Sequence, residues 1–158
     1  MTPFDQPSRP RRRVLAVASG GGHWVQLLRL RPAFDGADIH YATVDPTARS
    51  MVAPAPLYLY PDANKDTKLR LIVSALMLAV IVLRVRPHVV ISTGAAGGYL
   101  AIRIARLIGA RTVFIDSIAN TRQLSVSARL AQRAADLVLS QWPAVAEASG
   151  AQYRGAVL

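Results

Sequence analysis

The first apolar run of the chain reads RVLAVASGGGH, from Arg13 to His23. Its apolar first half predicts a buried strand, and its glycines predict a tight turn that leads into a helix. Short apolar, β-branched runs then alternate with helical stretches along almost the whole sequence. Strands without clean polar–apolar alternation are typical of a parallel sheet that is covered on both faces. We therefore predict a Rossmann-like α/β fold, a parallel sheet with helices on both faces.

The alternating pattern predicts one domain. The apolar runs predict strands at Arg13–Ala18, Asp38–Val44, Leu57–Tyr60, His88–Ser92, Arg111–Ile115 and Leu137–Ser140. The stretches between them predict helices at about His23–Phe34, Thr47–Ala53, Thr67–Val85, Gly97–Ile108, Arg122–Ala135 and Pro143–Ser149. The length of 158 residues suits a single domain, which we place at residues 13–158 behind a mobile basic tail of residues 1–12.

The charge balance indicates an anionic partner. The chain has 19 Lys and Arg residues against 9 Asp and Glu residues, a net charge of +10. Nucleic acid, phosphate groups and an anionic membrane surface are the candidates. We expect no nucleic-acid partner, because the sequence has no recognition-helix, OB or RRM signature. The absence of cysteine excludes disulfides, thiolate metal sites and a cysteine nucleophile. We predict neither a metal nor a cofactor.

The first glycine loop lies where a parallel sheet binds ligands, at the carboxyl end of a strand. Its backbone amides and the following helix N-terminus suit a phosphate group. The loop is no Walker A motif, and Val25 stands where a dinucleotide fingerprint needs a small residue; Asp45 keeps a nicotinamide site open as an alternative. His23 is either a general base or a polar helix cap. The predicted phosphate-binding residues here are Ser19, Gly20, Gly21 and Gly22.

Two later loops follow strands that end at the same edge of the predicted sheet. The second loop, residues 93–99, is either another anion nest or a site of tight helix–sheet packing. In the third, Asp116 either binds a hydroxyl group or caps the following turn. Arg122, Arg129 and Arg133 follow at helical spacing, which predicts one basic face. The predicted acceptor- or phosphate-binding residues of these loops are Thr93, Gly94, Gly97, Gly98, Asn120 and Arg122.

One apolar run, Leu71–Leu83, is bracketed by arginines. As a helix it is about 20 Å long, too short for a hydrocarbon core of roughly 30 Å. It is therefore either an interfacial helix or a buried one, and the flanking arginines favour contact with acidic lipid headgroups. The predicted membrane contacts are Leu71, Ile72, Leu76, Met77, Val80 and Leu83, with Arg70 and Arg84.

Three motifs, in this order, resemble the acceptor domain of MurG-like glycosyltransferases of the GT-B fold: ASGGGH at 18–23, STGAAGGY at 92–99 and VFIDS at 113–117. Three later motifs narrow the resemblance: LSVSARL at 124–130, QWP at 141–143 and YRG at 153–155. With them the chain is similar to PssD-type exopolysaccharide proteins. It is also similar to the membrane-anchoring subunit (subunit fourteen of asparagine-linked glycosylation) of the eukaryotic dolichol-linked UDP-N-acetylglucosamine transferase. The resemblance covers residues 13 to 157.

The resemblance implies half of an enzyme. It implies that this chain is equivalent to the N-terminal, acceptor-side lobe, and that a separate small subunit binds the sugar nucleotide. It makes His23 the base that deprotonates the acceptor hydroxyl and the glycine loops the binding site of the acceptor diphosphate. Asp116 stands where relatives usually have Glu, one methylene longer. Eukaryotic relatives have an N-terminal transmembrane anchor, so here we expect Leu71–Leu83 to make the membrane contact instead.

The resulting hypothesis is a two-component glycosyltransferase of exopolysaccharide or lipid-linked oligosaccharide biosynthesis. It would transfer a sugar from a UDP-sugar to a polyprenyl-diphosphate acceptor, with His23 and Asp116 as catalytic residues and no activity for this chain alone. We expect it at the cytoplasmic face of the inner membrane, peripheral or monotopic. One alternative is a non-catalytic membrane scaffold that recruits the catalytic subunit. Another is an NAD-binding oxidoreductase.

Overall fold

A computed structural model describes residues 10–62 and 68–157. Its strands are β1 (Arg13–Val17), β2 (Asp38–Thr43), β3 (Leu57–Leu59), β4 (Val89–Ser92), β5 (Arg111–Ile115), β6 (Leu137–Ser140) and β7 (Gln152–Tyr153). They form one parallel sheet in the order β3-β2-β1-β4-β5-β6-β7. The chain starts in the middle of the sheet, adds strands toward one edge, and then returns to add strands toward the other. The predicted Rossmann-like fold is confirmed.

Helices cover both faces of this sheet. They are α1 (Gly22–Arg29), α2 (Arg49–Val52), α3 (Lys68–Val85), α4 (Ala95–Leu107), α5 (Val126–Ala131) and α6 (Pro143–Ser149), with 3₁₀ turns at Arg31–Phe34 and Pro46–Ala48. The pleat of β1 shows the two layers: Val14 and Ala16 contact one apolar cluster, whereas Leu15 and Val17 contact the other. The apolar character of these strands therefore follows from burial on both sides.

The predicted helix at Arg122–Ala135 is mostly wrong, because only Val126–Ala131 is α-helical. The side chain of Ser125 caps the helix by accepting the backbone N–H of Ala128 at 3.0 Å. Such a cap fixes the start of a helix and leaves the preceding residues in a loop. Arg122 therefore lies outside the helix, and the predicted single face with Arg129 and Arg133 does not form.

Other elements also differ from the sequence prediction. The helix predicted over His23–Phe34 ends at Arg29, and a 3₁₀ turn containing Pro32 replaces its last turn. A proline ring disrupts the hydrogen bonding of a continuing helix, which explains the break. The short strand β7 was not predicted at all. The predicted tail lies outside the described residues as far as residue 9.

Helix α3 contains the whole apolar run and packs against α4. One side of α3 is buried through Leu78, Ile81, Val82 and Val85. The single serine of the run, Ser74, is fully buried and donates its hydroxyl hydrogen bond to the carbonyl of Pro61 at 2.5 Å. This bond ties the helix to the segment that follows β3. Within residues 10–62 and 68–157, no helix is both long and apolar enough to cross a bilayer.

Candidate functional site

A cavity of about 700 Å³ opens at the carboxyl end of the sheet, beside the loops that follow β1 and β4. This is the edge at which open parallel sheets bind their ligands. The cavity is lined by Ser19, Gly20, His23, Val44, Asp62, Leu71, Ala95, Ala96, Tyr99, Leu100, Val126, Ser127 and Leu130. Part of the first glycine loop, the predicted histidine and the start of α4 therefore meet in one cavity.

The backbone of Thr93 fixes the imidazole of His23. The carbonyl oxygen of Thr93 lies 2.9 Å from Nδ1 of His23. Because a carbonyl oxygen only accepts, Nδ1 carries the proton of the neutral ring, and Nε2 is left with its lone pair. In return, the hydroxyl of Thr93 donates to the carbonyl of His23 at 2.7 Å. The two residues thus form a reciprocal clamp that sets both the tautomer and the position of the ring.

Gly94 is required by the position of that ring. Its φ of +141° is a conformation that other residues rarely adopt, and a Cβ at this position would collide with Nδ1 and Cε1 of His23. The next loop glycines are also tightly packed: a Cβ on Gly97 would meet the ring of Tyr60, and one on Gly98 would meet Oγ of Ser92. Tight packing, one of the two interpretations of this loop, is thus present at all three glycines.

The same loops also present uncapped helix N-termini. Gly21 precedes α1 and Gly94 precedes α4, and neither helix has a side-chain cap on its first N–H groups. An uncapped helix N-terminus attracts anions through its free N–H groups and its dipole. Gly21 and Gly22 are exposed in the first loop. Two helix N-termini beside one histidine suit a ligand that carries both a hydroxyl and an anionic group.

Asp116 is buried within the loop to which it belongs. Its carboxylate accepts hydrogen bonds from the side chain of Asn120 at 3.0 Å and from the backbone N–H of Ser125 at 2.8 Å. Its carbonyl accepts from the side chains of Gln26 and Gln141. With an exposure of 1%, it is not among the residues that line the cavity of His23. These contacts favour the capping interpretation; a catalytic role for Asp116 stays a prediction.

Other predicted binding residues are not brought to the cavity. Asn120 is held by Asp116, and Arg122 borders a separate depression together with Arg129 and Gln132. The positions of Asn120 and Arg122 follow from the loop that replaces the first turn of the predicted helix at Arg122. His88, which was not a predicted binding residue, lies at the opposite end of β4, where its Nδ1 accepts the backbone N–H of Arg13 at 3.0 Å.

Asp45, the candidate ribose ligand of the nicotinamide alternative, acts as a cap. Its carboxylate accepts the backbone N–H of Thr47 at 2.9 Å and the hydroxyl of Thr47 at 2.7 Å. These hydrogen bonds from Thr47 lower the pKa of the Asp45 carboxyl below its ordinary value. The carboxylate of Asp45 is thus hydrogen-bonded within its own turn.

Asp62 is a cavity residue that the sequence analysis missed. It lies three residues beyond the end of β3, and it joins His23 in the lining of the cavity. The strand-end rule, by which ligands bind at the carboxyl ends of parallel strands, selected the glycine loops and also applies to β3. The same rule could therefore have selected Asp62. Its neighbour Tyr60 is almost fully buried. Burial, together with the charge of Asp62, raises the pKa of the Tyr60 hydroxyl, which therefore stays protonated.

A second cavity of about 700 Å³ lies elsewhere, around residues 34–39 and 52–56 with Arg11, Arg31 and Tyr41. It includes residues at the start of β2, at the end of the sheet away from the glycine loops. It contains no histidine and neither of the two helix N-termini described above. We therefore place the candidate site at the cavity of His23. Within the described part of the chain, no cluster of His, Asp and Glu side chains is arranged to hold a metal ion.

Solved structures show what this architecture resembles. The MurG structure of Acinetobacter baumannii matches with a TM-score of 0.69 at 15% identity, over 84% of this chain and 42% of that one. The UDP-N-acetylglucosamine 2-epimerase of Rickettsia bellii matches with a TM-score of 0.73 at 11% identity, over 93% and 45%. A glycosyltransferase of Rickettsia africae matches with a TM-score of 0.62 at 10% identity, over 84% and 37%. The chain thus spans less than half the length of each.

These likenesses define the class of the protein: an α/β domain with the fold of one lobe of GT-B proteins. A comparison with curated protein sequences gave no match. The family model described as "Oligosaccharide biosynthesis protein Alg14 like" matches residues 64–157, more than half of the chain. The chain belongs to this Alg14-like oligosaccharide biosynthesis family. Family and fold together support a glycosyltransferase-associated role in oligosaccharide biosynthesis.

Proposed function

We propose that this chain is the membrane-associated, acceptor-side subunit of a two-component glycosyltransferase. The complex transfers a sugar from a UDP-sugar to a polyprenyl-diphosphate-linked acceptor in exopolysaccharide or lipid-linked oligosaccharide biosynthesis. The observation that carries the proposal is the convergence of His23 and two uncapped helix N-termini on one cavity. The Alg14-like family and the GT-B-like fold support the same assignment.

His23 acts as the general base of this reaction. The acceptor hydroxyl donates its proton to Nε2 while its oxygen attacks the anomeric carbon of the donor sugar. A new carbon–oxygen bond forms, the bond to UDP breaks, and UDP leaves with the electron pair. The carbonyl of Thr93 holds the N–H at Nδ1 and accepts a stronger hydrogen bond once the ring becomes an imidazolium. The clamp therefore leaves Nε2 as the nitrogen that takes up the proton.

The helix N-termini bind the diphosphate of the acceptor. His23 in the first turn of α1 and Ala95 and Ala96 in the first turn of α4 line the cavity, and neither helix has a side-chain cap. Each helix dipole adds a favourable interaction with negative charge. The exposed glycines of the first loop allow a close approach to their backbone. The diphosphate would then position the acceptor sugar near Nε2 of His23.

The exposed side of α3 provides the membrane contact. We name as the α3 ridge its exposed apolar side chains: Leu69, Ile72, Val73, Leu76, Met77, Val80 and Leu83. They recur at intervals of three and four residues, so they share one face of the helix. Arg70 and Arg84, also exposed, flank this face. An exposed apolar face beside arginines suits the interface of a bilayer that contains anionic lipid. The predicted contact Leu71 instead lines the cavity.

The donor sugar nucleotide is bound by a partner subunit. The described chain folds into one sheet, and the solved relatives are more than twice as long as the segment that they share with it. A family partner that supplies a second lobe completes the enzyme at the cytoplasmic face of the inner membrane. The purified chain alone should show no transfer, and the reconstituted complex should show it.

The test is single-turnover transfer by the complex with His23→Ala. We expect a loss of about 10²–10⁴-fold across pH, with folding and partner affinity unchanged. His88→Ala is the matched control, because His88 lies at the far end of β4, and it should keep the wild-type rate. A scaffold without chemistry predicts instead that His23→Ala stays within about threefold of the wild type. That outcome would reject the proposed role of His23.

A further inference from the structure

The cavity of His23 has an apolar wall beside its polar loops. Three helices contribute to this wall: α3 through Leu71, α4 through Leu100, and α5 through Val126 and Leu130. Val126 and Leu130 are 64% and 44% exposed, so their side chains are open to a ligand or to solvent. One cavity thus combines anion-attracting helix ends with a surface that gains free energy when hydrocarbon covers it.

We infer that this wall binds the hydrocarbon segment next to the diphosphate of the acceptor. The inference rests on the proposed function and adds lipid recognition to it. An amphiphile with a charged head and an apolar tail matches both parts of the lining at once. With the diphosphate at the helix N-termini, the hydrocarbon attached to it would lie along Val126 and Leu130. A free nucleotide or a soluble sugar phosphate would leave this wall exposed.

The α3 ridge gives the hydrocarbon a continuous way out of the cavity. Leu71, in the wall, is half-buried, and Ile72, in the ridge, is 57% exposed. The two residues are adjacent on the same helix, about 1.5 Å apart along its axis, and their side chains lie on neighbouring faces about 100° apart. A chain that leaves the cavity past Leu71 therefore reaches the apolar surface assigned to the membrane. This continuity favours a lipid over a partner helix as the occupant of the wall.

The experiment uses the assembled two-subunit complex without detergent or vesicles, so that partition into a membrane does not contribute. Two sugar diphosphates serve as acceptors, one carrying a methyl group and the other a short isoprenoid chain. The variants are Val126→Ser and Leu130→Ser, whose exposed positions tolerate a small polar side chain. Leu107→Ser is the matched control, because Leu107 is 86% exposed at the end of α4 and does not line the cavity.

We expect the wild-type complex to use the isoprenoid acceptor more efficiently than the methyl acceptor. Each serine variant should lower kcat/KM for the isoprenoid acceptor by about tenfold, mainly through KM, and should have a clearly smaller effect on the methyl acceptor. The control should match the wild type with both acceptors. This pattern would separate recognition of the chain from recognition of the head group.

Other results would overturn the inference in distinguishable ways. Equal efficiency of the wild type with both acceptors, or an equal loss with both in the variants, would reject the lipid wall and leave the proposed function standing. A loss of partner affinity in the serine variants would make the wall a protein interface instead. Absence of transfer to either acceptor, and also to a membrane-embedded one, would reject the proposed function itself.

Discussion

Replacing Gly94 by alanine tests whether the loop geometry holds the ring of His23 in place. A Cβ at this position cannot coexist with the present place of the His23 ring. The φ of +141° adds backbone strain of about 1–3 kcal/mol. Displacement of the ring also breaks the 2.9 Å hydrogen bond to Thr93, worth about 0.5–1.5 kcal/mol. The expected loss in the free energy of unfolding is therefore about 2–4 kcal/mol.

The activity of Gly94→Ala should fall to about the level of His23→Ala, by 10²–10⁴-fold. In a His23→Ala background, the same substitution should cost no further activity, since the ring it displaces is absent. The double variant should also recover about 1 kcal/mol of stability relative to the sum of the single variants. Denaturant unfolding and single-turnover transfer by the complex at matched folded occupancy measure both quantities.

Gly36→Ala controls for strain alone. Gly36 has a φ of +75°, and a Cβ there meets nothing within 4 Å. It should lose about 1 kcal/mol of stability and keep full transfer activity. The reasoning is refuted by full additivity of Gly94→Ala and His23→Ala in activity. A Gly94→Ala complex that transfers within about threefold of the wild type would refute it as well.

Three further predictions address the membrane, the missed carboxylate and pH. The double variant Leu76→Asp and Val80→Asp, at side chains 63% and 64% exposed, should weaken binding to anionic liposomes by about a hundredfold. The control Leu107→Asp should not weaken this binding. Unchanged binding of the double variant would show that α3 does not contact the membrane. Asp62→Asn should lower kcat/KM by about tenfold, because a neutral amide oxygen accepts a hydrogen bond from a sugar hydroxyl less strongly than a carboxylate does. Asp35→Asn, outside this cavity, should not. Equal behaviour of the two variants would exclude Asp62 from acceptor binding. Burial raises the pKa of Asp136, but hydrogen bonds from Thr112 and the charge of Arg106 outweigh it and lower that pKa below 3.8. Ionised Asp136 therefore stabilises the fold fully above its unfolded-state pKa, and this stabilisation is lost as pH falls through the lower folded-state pKa. Denaturant titrations across this window should show that the free energy of unfolding falls less with decreasing pH in Asp136→Asn than in the wild type.

The sheet was predictable because burial on both faces leaves strong marks in the sequence. The predicted strands coincide with β1 to β6 to within one residue at each end. The exception is β7, whose two exposed residues, Gln152 and Tyr153, pair with the edge of β6. This pairing depends on an available edge and involves no apolar run. Pattern analysis of the chain alone therefore gave no signal for it.

The local hydrogen bonds of the third loop were not visible in the residue pattern. Arginines at helical spacing predicted a helix from Arg122, but the carboxylate of Asp116 accepts the N–H of Ser125 and holds the intervening chain in a loop. A buried carboxylate that organises its own loop and one that faces a ligand have the same sequence signature. The contacts of Asp116 favour the first of these roles.

The glycine loops were predictable in position, but only in part in their physical role. The strand-end rule places His23 and Gly94 at the ligand edge of the sheet. It does not reveal that the ring of His23 packs on Gly94, or that Thr93 sets its tautomer. These contacts join residues about 70 positions apart in sequence. Register between β1 and β4 creates them, and that register follows from the whole sheet.

Helix α3 connects the membrane surface and the cavity in the proposed function, because its sides have different neighbours. Positions 78, 81, 82 and 85 face the core, whereas the α3 ridge faces outward and Leu71 reaches the cavity. A helix with 3.6 residues per turn presents these sets in different directions from one rigid rod. If the ridge lies at the membrane surface, the entrance to the cavity lies there too. Substitutions near Leu71 would then affect both lipid binding and acceptor entry. Those at Leu76 and Val80, one to three turns further along the helix, isolate membrane binding, which is why the liposome test uses them.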